Sequence, residues 1–304
     1  MKSEVVATGS QGAIPAPPFF CYDAHNHLQD ERFRGTQEAI MAMARMGGVR
    51  CMVVNGACES DWPEVMKLAH RYPEVIPSLG YHPWYLRERS AEWESTLESL
   101  LQKHPQTMVG EIGLDRWMLE NPDRWRTYRG DTDAFVGDPP SMEEQESVFL
   151  SQLELACRWN RVASVHCLRA FGRLLELLES HPLPTRGFLL HSYAGPAEMI
   201  PSFARLGAYF SFPGSHLHAR KERHGQMFRH VPRDRLLVET DAPDQLPPEA
   251  FRPHICLGSG EKVLNHPANL PVIHAGLAAL LDMPTIDLVE QANANFRRLF
   301  LQDP

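Results

Sequence analysis

The amino-acid sequence predicts an α/β fold, a TIM-type (β/α)8 barrel. Short apolar and β-branched runs alternate with segments whose apolar residues recur every three to four positions, which is the pattern of strand-helix units in a parallel sheet. The length of 304 residues also fits a single barrel domain. Eight strand-like runs are present: Phe19 to Leu28, Arg50 to Asn55, Val75 to Gly80, Met108 to Leu114, Val162 to His166, Gly187 to His191, Ala208 to Phe212 and Arg235 to Thr240.

Helix-like segments lie between these runs. Residues 1–18 are rich in Ala, Pro, Gly and Ser and lack a continuous apolar core, so we expect a flexible tail there. Residues 19–304 are expected to form one barrel domain. Clear amphipathic spacing predicts helices over Thr36 to Met46, Asp61 to Arg71, Ser141 to Trp159 and Phe171 to Glu179.

Two connections break the regular alternation. Residues 116–140 follow the fourth strand without clear periodicity, which is typical of a functional lid or a disordered excursion; we expect a lid-like insertion. Residues 216–235 follow the seventh strand and are rich in Arg and His, so they either face an anionic substrate or form a solvated amphipathic helix. The second and seventh strands carry no obvious ligand and are expected to be structural.

The composition limits the functions that the chain can have. The formal net charge of −8 provides no overall basic field, so polyanion binding requires a local patch or metal ions. No apolar stretch approaches the roughly 18 residues of a membrane span. The six cysteines show no Cys-x-x-Cys spacing, and we expect them to be reduced, as in a cytoplasmic protein.

Histidines lie at the ends of several strand-like runs, where a barrel places its functional groups. His25 and His27 are two residues apart, so on a strand both imidazoles point to the same side. The alternative is an incidental pair on a strand edge. His166 and His191 end the fifth and sixth runs. Imidazole and carboxylate ligands without thiolates suit zinc, manganese or another divalent ion.

Two carboxylates complete the candidate ligands. Glu111 lies between Gly110 and Gly113, which permit close packing, and a carboxylate there can bridge two ions. Its alternative is a capping or salt-bridged glutamate. Asp241 ends the eighth run and can bind an ion and act as general base toward water. Its alternative is a helix N-cap.

Two residues are candidates for further roles. His82 follows the third run and is a candidate for substrate binding or proton donation, the alternative being a hydrogen-bonded core histidine. Glu239 precedes Asp241 by two residues, so it points to the same side of the strand and can orient a ligand.

The sequence resembles the TatD family of metal-dependent hydrolases from about residue 20 onward. The matching motifs are Asp-x-His-x-His at 23–27, Gly-x-His-Pro at 80–83, Gly-Glu-Ile-Gly-Leu-Asp at 110–115, Gln-Leu-Glu-Leu-Ala at 152–156, His-Cys at 166–167, His-Ser-Tyr-Ala-Gly at 191–195, Glu-Thr-Asp-Ala-Pro at 239–243 and Asn-x-Pro-Ala-x-Leu at 265–270.

The resemblance implies a barrel that holds two divalent ions, either zinc, magnesium or manganese. It also implies hydrolysis of ester bonds, and several members of the family are 3′-5′ DNA exonucleases. Asp241 would then act as the base toward the attacking water. The implied ligands are His25, His27, Glu111 and Asp241 for one ion, and Glu111, His166 and His191 for the other.

The chain departs from the family pattern at positions that bear on the substrate. Leu168 takes the position of a common Arg, and Val263-Leu264 stands where an Arg often precedes the Asn-x-Pro motif. Asp244 replaces a common Tyr, and Trp84 replaces a common His. Fewer cations and an added acid should weaken the binding of a phosphate backbone.

The leading hypothesis is therefore a divalent-metal phosphodiesterase, a deoxyribonuclease, with DNA as its partner. The rival enzyme hypothesis is hydrolysis of a small ester, lactone or amide in a pocket narrowed by residues 116–140. A lapsed barrel scaffold that binds another protein would be expected to lack metal ligands, and none is missing. The sequence indicates neither a membrane nor an obligate protein partner.

Overall fold

The computed structural model describes residues 19–128, 137–257 and 262–301. The predicted tail, residues 1–18, lies outside the described residues, as do residues 129–136 of the predicted insertion. Eight strands belong to one sheet in the order of the chain, which confirms the (β/α)8 barrel class. The strands are β1 Cys21–Asn26, β2 Val49–Asn55, β3 Val75–Leu79, β4 Met108–Asp115, β5 Ala163–Leu168, β6 Phe188–Leu190, β7 Ala208–Pro213 and β8 Leu236–Glu239.

Helices lie between these strands and after the last one. A separate antiparallel pair is formed by β9 (Cys256–Leu257) and β10 (Val263–Leu264). The α-helices are α1 Gln37–Met46, α2 Trp62–Arg71, α3 Trp93–Lys103, α4 Trp117–Glu120, α5 Pro122–Tyr128, α6 Met142–Arg158, α7 Phe171–Ser180, α8 Ile200–Arg205, α9 Glu222–Met227, α10 Leu270–Leu280 and α11 Thr285–Phe296.

The predicted helices form because their apolar residues share one face. In α7 the buried side chains are Phe171, Leu174, Leu177 and Leu178, which recur at three-to-four-residue spacing. Burying each leucine contributes about 1.5–3 kcal/mol. The start of α6 is set by Ser141, whose hydroxyl accepts a hydrogen bond from the Glu144 backbone at 3.2 Å.

The residues form two compact units. The first contains β1, most of β2, β8 and the helices after β7. In it, β1 and β2 pair in parallel, with Cys21 opposite Val49. The ends of β1 and β8 also meet: the Asp241 N–H donates to the carbonyl of His25 at 2.9 Å, and the His27 N–H donates to the carbonyl of Ala242 at 2.8 Å. These bonds place the two predicted ligand segments side by side.

The second unit contains residues 55–71 and 76–210, with β4, β5 and β6 at its centre. Gly113 of β4 lies opposite His166 of β5. Its φ is +148°, and a Cβ built there would lie 1.9 Å from the His166 carbonyl oxygen. A Cβ on Gly110 would lie 2.7 Å from the Cβ of Ser164. The prediction that these glycines permit close packing is confirmed, because a larger residue at either position would separate the two strands.

The connection after β4 is more regular than its sequence indicates. Residues 117–128 form the short helices α4 and α5, and Met118 and Trp125 within them are fully buried. Burial of these side chains anchors this part of the insertion. Its action as a lid stays a prediction.

Several predicted strands, among them β1 and β6, are shorter than their apolar runs. β1 ends at Asn26 and β6 ends at Leu190, so His27 and His191 follow their strands directly. Among the described residues, no single helix is long and apolar enough to cross a membrane, although one bent pair, Pro267–Leu280 with Thr285–Leu301, qualifies by length and composition alone.

Candidate metal centre

Glu111 on β4 is surrounded by three imidazoles. Its Oε1 lies 2.8 Å from Nε2 of His191, 3.1 Å from Nδ1 of His166 and 3.3 Å from Nε2 of His82. Burial alone would raise the pKa of this carboxyl group. The charge of His191 and the hydrogen bonds from His166 and His191 nevertheless hold the pKa of Glu111 well below its usual range. The residue is therefore an ionised carboxylate in a buried site.

His82 lies beside Glu111 with both ring nitrogens engaged. Its Nδ1 accepts a hydrogen bond from the backbone N–H of Trp84 at 3.1 Å. A neutral imidazole has one donor and one acceptor, so the proton must be on Nε2, which donates to Glu111. Burial lowers the pKa of His82 to about 4, against the opposing effect of Glu111. His82 is thus a neutral hydrogen-bond partner of Glu111, and in this tautomer neither nitrogen can also bind an ion.

His166 lies between two carboxylates. Its Nδ1 faces Glu111, and its Nε2 lies 3.3 Å from Oδ2 of Asp115. Burial lowers the pKa of the imidazole, but the hydrogen bonds to Asp115 and Glu111 outweigh it and raise the pKa to about 9. Asp115 also accepts hydrogen bonds from Nε1 of Trp84 at 2.6 Å and from the backbone of Met118 at 3.1 Å. A metal-binding histidine commonly donates its second nitrogen to such a carboxylate.

A second group of candidate ligands lies in the first unit. Nε2 of His25 is 3.2 Å from Nε2 of His27. These two atoms lie 3.7 Å and 3.5 Å, respectively, from Oδ1 of Asp241. His25 is fully buried and Asp241 is nearly so. Two imidazole nitrogens facing one carboxylate oxygen in a buried position form a donor set that suits a divalent cation.

The loop that carries Asp241 is held by buried hydrogen bonds. Asp241 itself has a left-handed backbone with φ of +51°, which aspartate tolerates better than most residues. The Asp23 carboxylate accepts hydrogen bonds from the N–H of Thr240 at 2.9 Å and from its hydroxyl at 2.5 Å. Asn265 donates from its side chain to the Thr240 carbonyl at 2.7 Å. Asp23 and Asn265, which begin the motifs at 23–27 and 265–270, thus hold the loop next to Asp241.

Asp244 pairs with a cation that it shares with a second acid. Its carboxylate accepts two hydrogen bonds from Arg32, at 2.9 Å and 2.6 Å. Arg32 also binds Asp30 at 2.8 Å and 2.7 Å. The acid that replaces the common Tyr is therefore paired with a cation from the loop after β1.

The predicted ligands fall into two groups, and the structure brings the members of each group together. Nitrogen and oxygen donors without thiolates fit hard or borderline divalent ions. Sequence reasoning did not assign a role to Asp115, although it lies four residues after Glu111 and so points to the same side of a strand. Glu239 is fully buried and accepts a hydrogen bond from Ser211 at 2.5 Å. The groups are His25, His27 and Asp241 in the first unit, and Glu111, His166 and His191 with His82 in the second.

The barrel and these donor groups define a metal-dependent hydrolase. The profile of the family described as TatD related DNase matches residues 22–301, and the chain belongs to this family. It is 29% identical over 224 residues to the metal-dependent hydrolase YjjV of Escherichia coli, covering 73% of this chain and 79% of that protein. It is 28% identical over 284 residues to the 3′-5′ ssDNA/RNA exonuclease TatD of Erwinia tasmaniensis, covering 92% and 99% of the two chains.

Solved structures agree with this assignment. The crystal structure of E. coli YjjV superimposes with a TM-score of 0.78 at 26% identity, covering 93% of this chain and 98% of that one. An N-acetyl-D-glucosamine-6-phosphate deacetylase from Mycobacterium smegmatis matches with a TM-score of 0.55 at 13% identity over 93% and 77% of the two chains, which shows a shared fold alone. The protein is therefore an enzyme, a metal-dependent hydrolase of the TatD family.

Proposed function

We propose that this enzyme is a two-metal phosphodiesterase that removes nucleotides from the 3′ end of single-stranded DNA. The observation that carries the proposal is the buried Glu111 carboxylate with three imidazole nitrogens within 3.3 Å of one oxygen. A buried, ionised carboxylate among imidazoles is suited to bridge ions, because it has two oxygens that can each serve as a ligand. Family relatives named as 3′-5′ ssDNA/RNA exonucleases support the substrate class.

In this proposal Glu111 would help to hold two divalent ions, which would be zinc, magnesium or manganese. Bound ions of this kind polarise a phosphoryl oxygen and make water a better nucleophile at neutral pH. The remaining ligands are His25, His27 and Asp241 for one ion and His166 and His191 for the other.

The chain's own residues then position groups and move protons. Asp241 would take the proton of the attacking water, because its carboxylate lies after the end of β8, where a barrel places its functional groups. His82 donates a hydrogen bond from its Nε2–H to Glu111 and so favours the ionised form of this carboxylate and orients it. Asp115 orients the His166 ring from the side opposite Glu111. We further propose that the enzyme acts in the cytoplasm, in keeping with cysteines that form no disulfide.

Two measurements test this function. The first is elemental analysis of protein purified without chelator, for which about two ions per chain are expected. The second is digestion of single-stranded DNA labelled at its 3′ or 5′ end, with magnesium, manganese or zinc added. The wild-type enzyme should release 3′-terminal nucleotides first. Glu111→Gln should lose at least about 100-fold in rate, because it removes the shared charge.

A matched control is Glu176→Gln, which makes the same change on an exposed position of α7, where 66% of the side chain is accessible. This variant should keep the wild-type rate. A protein that contains ions yet cleaves neither labelled strand would contradict the proposal. Chelator-sensitive turnover of a neutral ester by that protein would instead identify a small-ester hydrolase.

A further inference from the structure

After β7 the chain carries a half-buried lysine whose hydrogen-bond partners are neutral. Nζ of Lys221 donates to Oγ of Ser215 at 2.8 Å and to Oε1 of Gln245 at 3.3 Å. The Ser215 hydroxyl itself donates to the same Gln245 oxygen. We refer to Ser215, Lys221 and Gln245 as the lysine cluster. Within residues 19–128, 137–257 and 262–301, no carboxylate forms an ion pair with Lys221.

The surroundings of the lysine cluster are basic. Burial and the neighbouring Arg220 lower the pKa of Lys221. Burial and the charge of Lys221 in turn lower the pKa of His216 and of His224. A partly desolvated ammonium without a carboxylate is unfavourable, and only two of its three N–H donors are used. A bound anion would supply both the missing charge and the missing acceptor.

The lysine cluster borders the proposed catalytic base. Among the acids, the Asp241 carboxylate is the one whose charge raises the pKa of Lys221. Gln245 follows Asp241 by four residues in the same loop and has a left-handed backbone, with φ of +46°. An anion held by Lys221 would therefore lie next to the end of β8.

We propose that the lysine cluster binds a phosphate group of the substrate. This inference rests on the proposed phosphodiesterase function and assigns the phosphate contact that the sequence leaves open. Leu168 and Val263-Leu264 are uncharged, so these positions offer no cation to a phosphate. A lysine ammonium binds phosphate as a point charge, and the Ser215 hydroxyl would add a second donor by turning its O–H from Gln245 to the phosphate.

The test compares the wild-type enzyme with Lys221→Met and Lys221→Arg, each loaded with metal. Lys67→Met is the matched control, because Lys67 is 68% exposed on α2 and pairs with Glu64. KM and kcat are measured for a single-stranded oligonucleotide and for bis(4-nitrophenyl) phosphate across a range of salt concentrations.

Lys221→Met should raise KM for the oligonucleotide about 10-fold with a smaller change in kcat, since one charged hydrogen bond is lost. The slope of log KM against log salt should fall by about 0.7, as expected for one phosphate contact on a single strand. Lys221→Arg should restore most of the slope, and Lys67→Met should match the wild type. A similar loss with bis(4-nitrophenyl) phosphate would place the contact at the scissile phosphate. A loss confined to the oligonucleotide would place it at a neighbouring one.

Calorimetric titration with inorganic phosphate separates this proposal from the proposed function. Metal-loaded wild-type protein should bind phosphate about 10-fold more tightly than metal-loaded Lys221→Met, whether or not either protein cleaves DNA. Equal binding by the two proteins, or an unchanged salt slope in an enzyme that does cleave DNA, would overturn the role of the lysine cluster. Thermal unfolding of each variant shows whether it is folded during these measurements.

Discussion

Asp115→Asn is the sharpest test of how the second group of ligands is organised. The carboxylate of Asp115 faces three donors: the backbone N–H of Met118 at Oδ1, and the Trp84 indole N–H and His166 Nε2 at Oδ2. Asparagine has one carbonyl oxygen and an NH₂ group, so it can serve only one side. The oxygen should stay toward Trp84 and His166, because two donors lie on that side and one on the other.

This geometry sets the size of the effect. The Met118 N–H would then face an amide N–H, and an unsatisfied buried donor costs about 1–3 kcal/mol of unfolding free energy. His166 would keep an acceptor, but a neutral one, so its ring would be a weaker base and a weaker ligand. Loss of such a partner lowers metal affinity about 10–100-fold. We expect the low end of that range, about 10-fold or 1.4 kcal/mol, because the hydrogen bond survives.

The assay is competition for the bound ion with a chelator of known affinity, combined with denaturant unfolding of the metal-free protein. Asp123→Asn is the control, since this aspartate is 96% exposed and pairs with Arg126 at 2.9 Å. It should show wild-type metal affinity and stability. If Asp115→Asn bound the metal as tightly as wild type, the reasoning that Asp115 orients and strengthens His166 would be refuted.

Three further predictions concern other parts of the chain. Thr240→Val removes a buried hydroxyl that donates to Asp23, so the unfolding free energy should fall by about 1–3 kcal/mol, and Thr240→Ser should recover most of it; equal stabilities would contradict the importance of this bond. Arg32→Met leaves Asp244 without its cation and should raise KM for an oligonucleotide about threefold. KM for a neutral ester should not change, and adding Asp244→Asn should reverse the rise for the oligonucleotide. Burial lowers the pKa of His274 to about 4, whereas its pKa in the unfolded chain is about 6.5. The free energy of unfolding should therefore fall as the pH is lowered from 6.5 to 4, because the unfolded chain binds the proton first. The contribution is about 3 kcal/mol, and His274→Leu should flatten the stability profile by that amount when unfolding is measured at pH 7 and pH 4.

Much of the fold was predictable from local patterns. Each predicted strand and each of the four named helices is present, and α6 begins at Met142, one residue after the predicted start at Ser141, which is its N-cap. The strand ends were less predictable, since His27 and His191 follow their strands although the apolar runs include them or extend past them. Apolar runs report burial, and a strand can end before its buried segment does.

The candidate ligands were also accessible from the sequence, because their residue types and positions at strand ends are local features. The ion-pair and hydrogen-bond partners of the site residues could not be predicted from the sequence. Asp244 was interpreted as an added negative charge, and nothing in the sequence indicated that Arg32, which lies 212 residues away in the chain, binds it together with Asp30. Likewise, residues 216–235 were interpreted as a segment that either faces an anionic substrate or forms a solvated amphipathic helix, and nothing in their spacing singled out Lys221.

The sequence by itself determined the order of strands and helices, the barrel class and the residue types available to hold metal ions. These follow from periodicity and from the chemistry of each side chain, which are properties of short segments. Only the tertiary structure decided which nitrogen of His82 carries the proton, why the pKa of His166 is raised, and that Lys221 is bonded to a serine and a glutamine. Proton positions and electric fields depend on burial and on distances through space, and residues far apart in the chain set both.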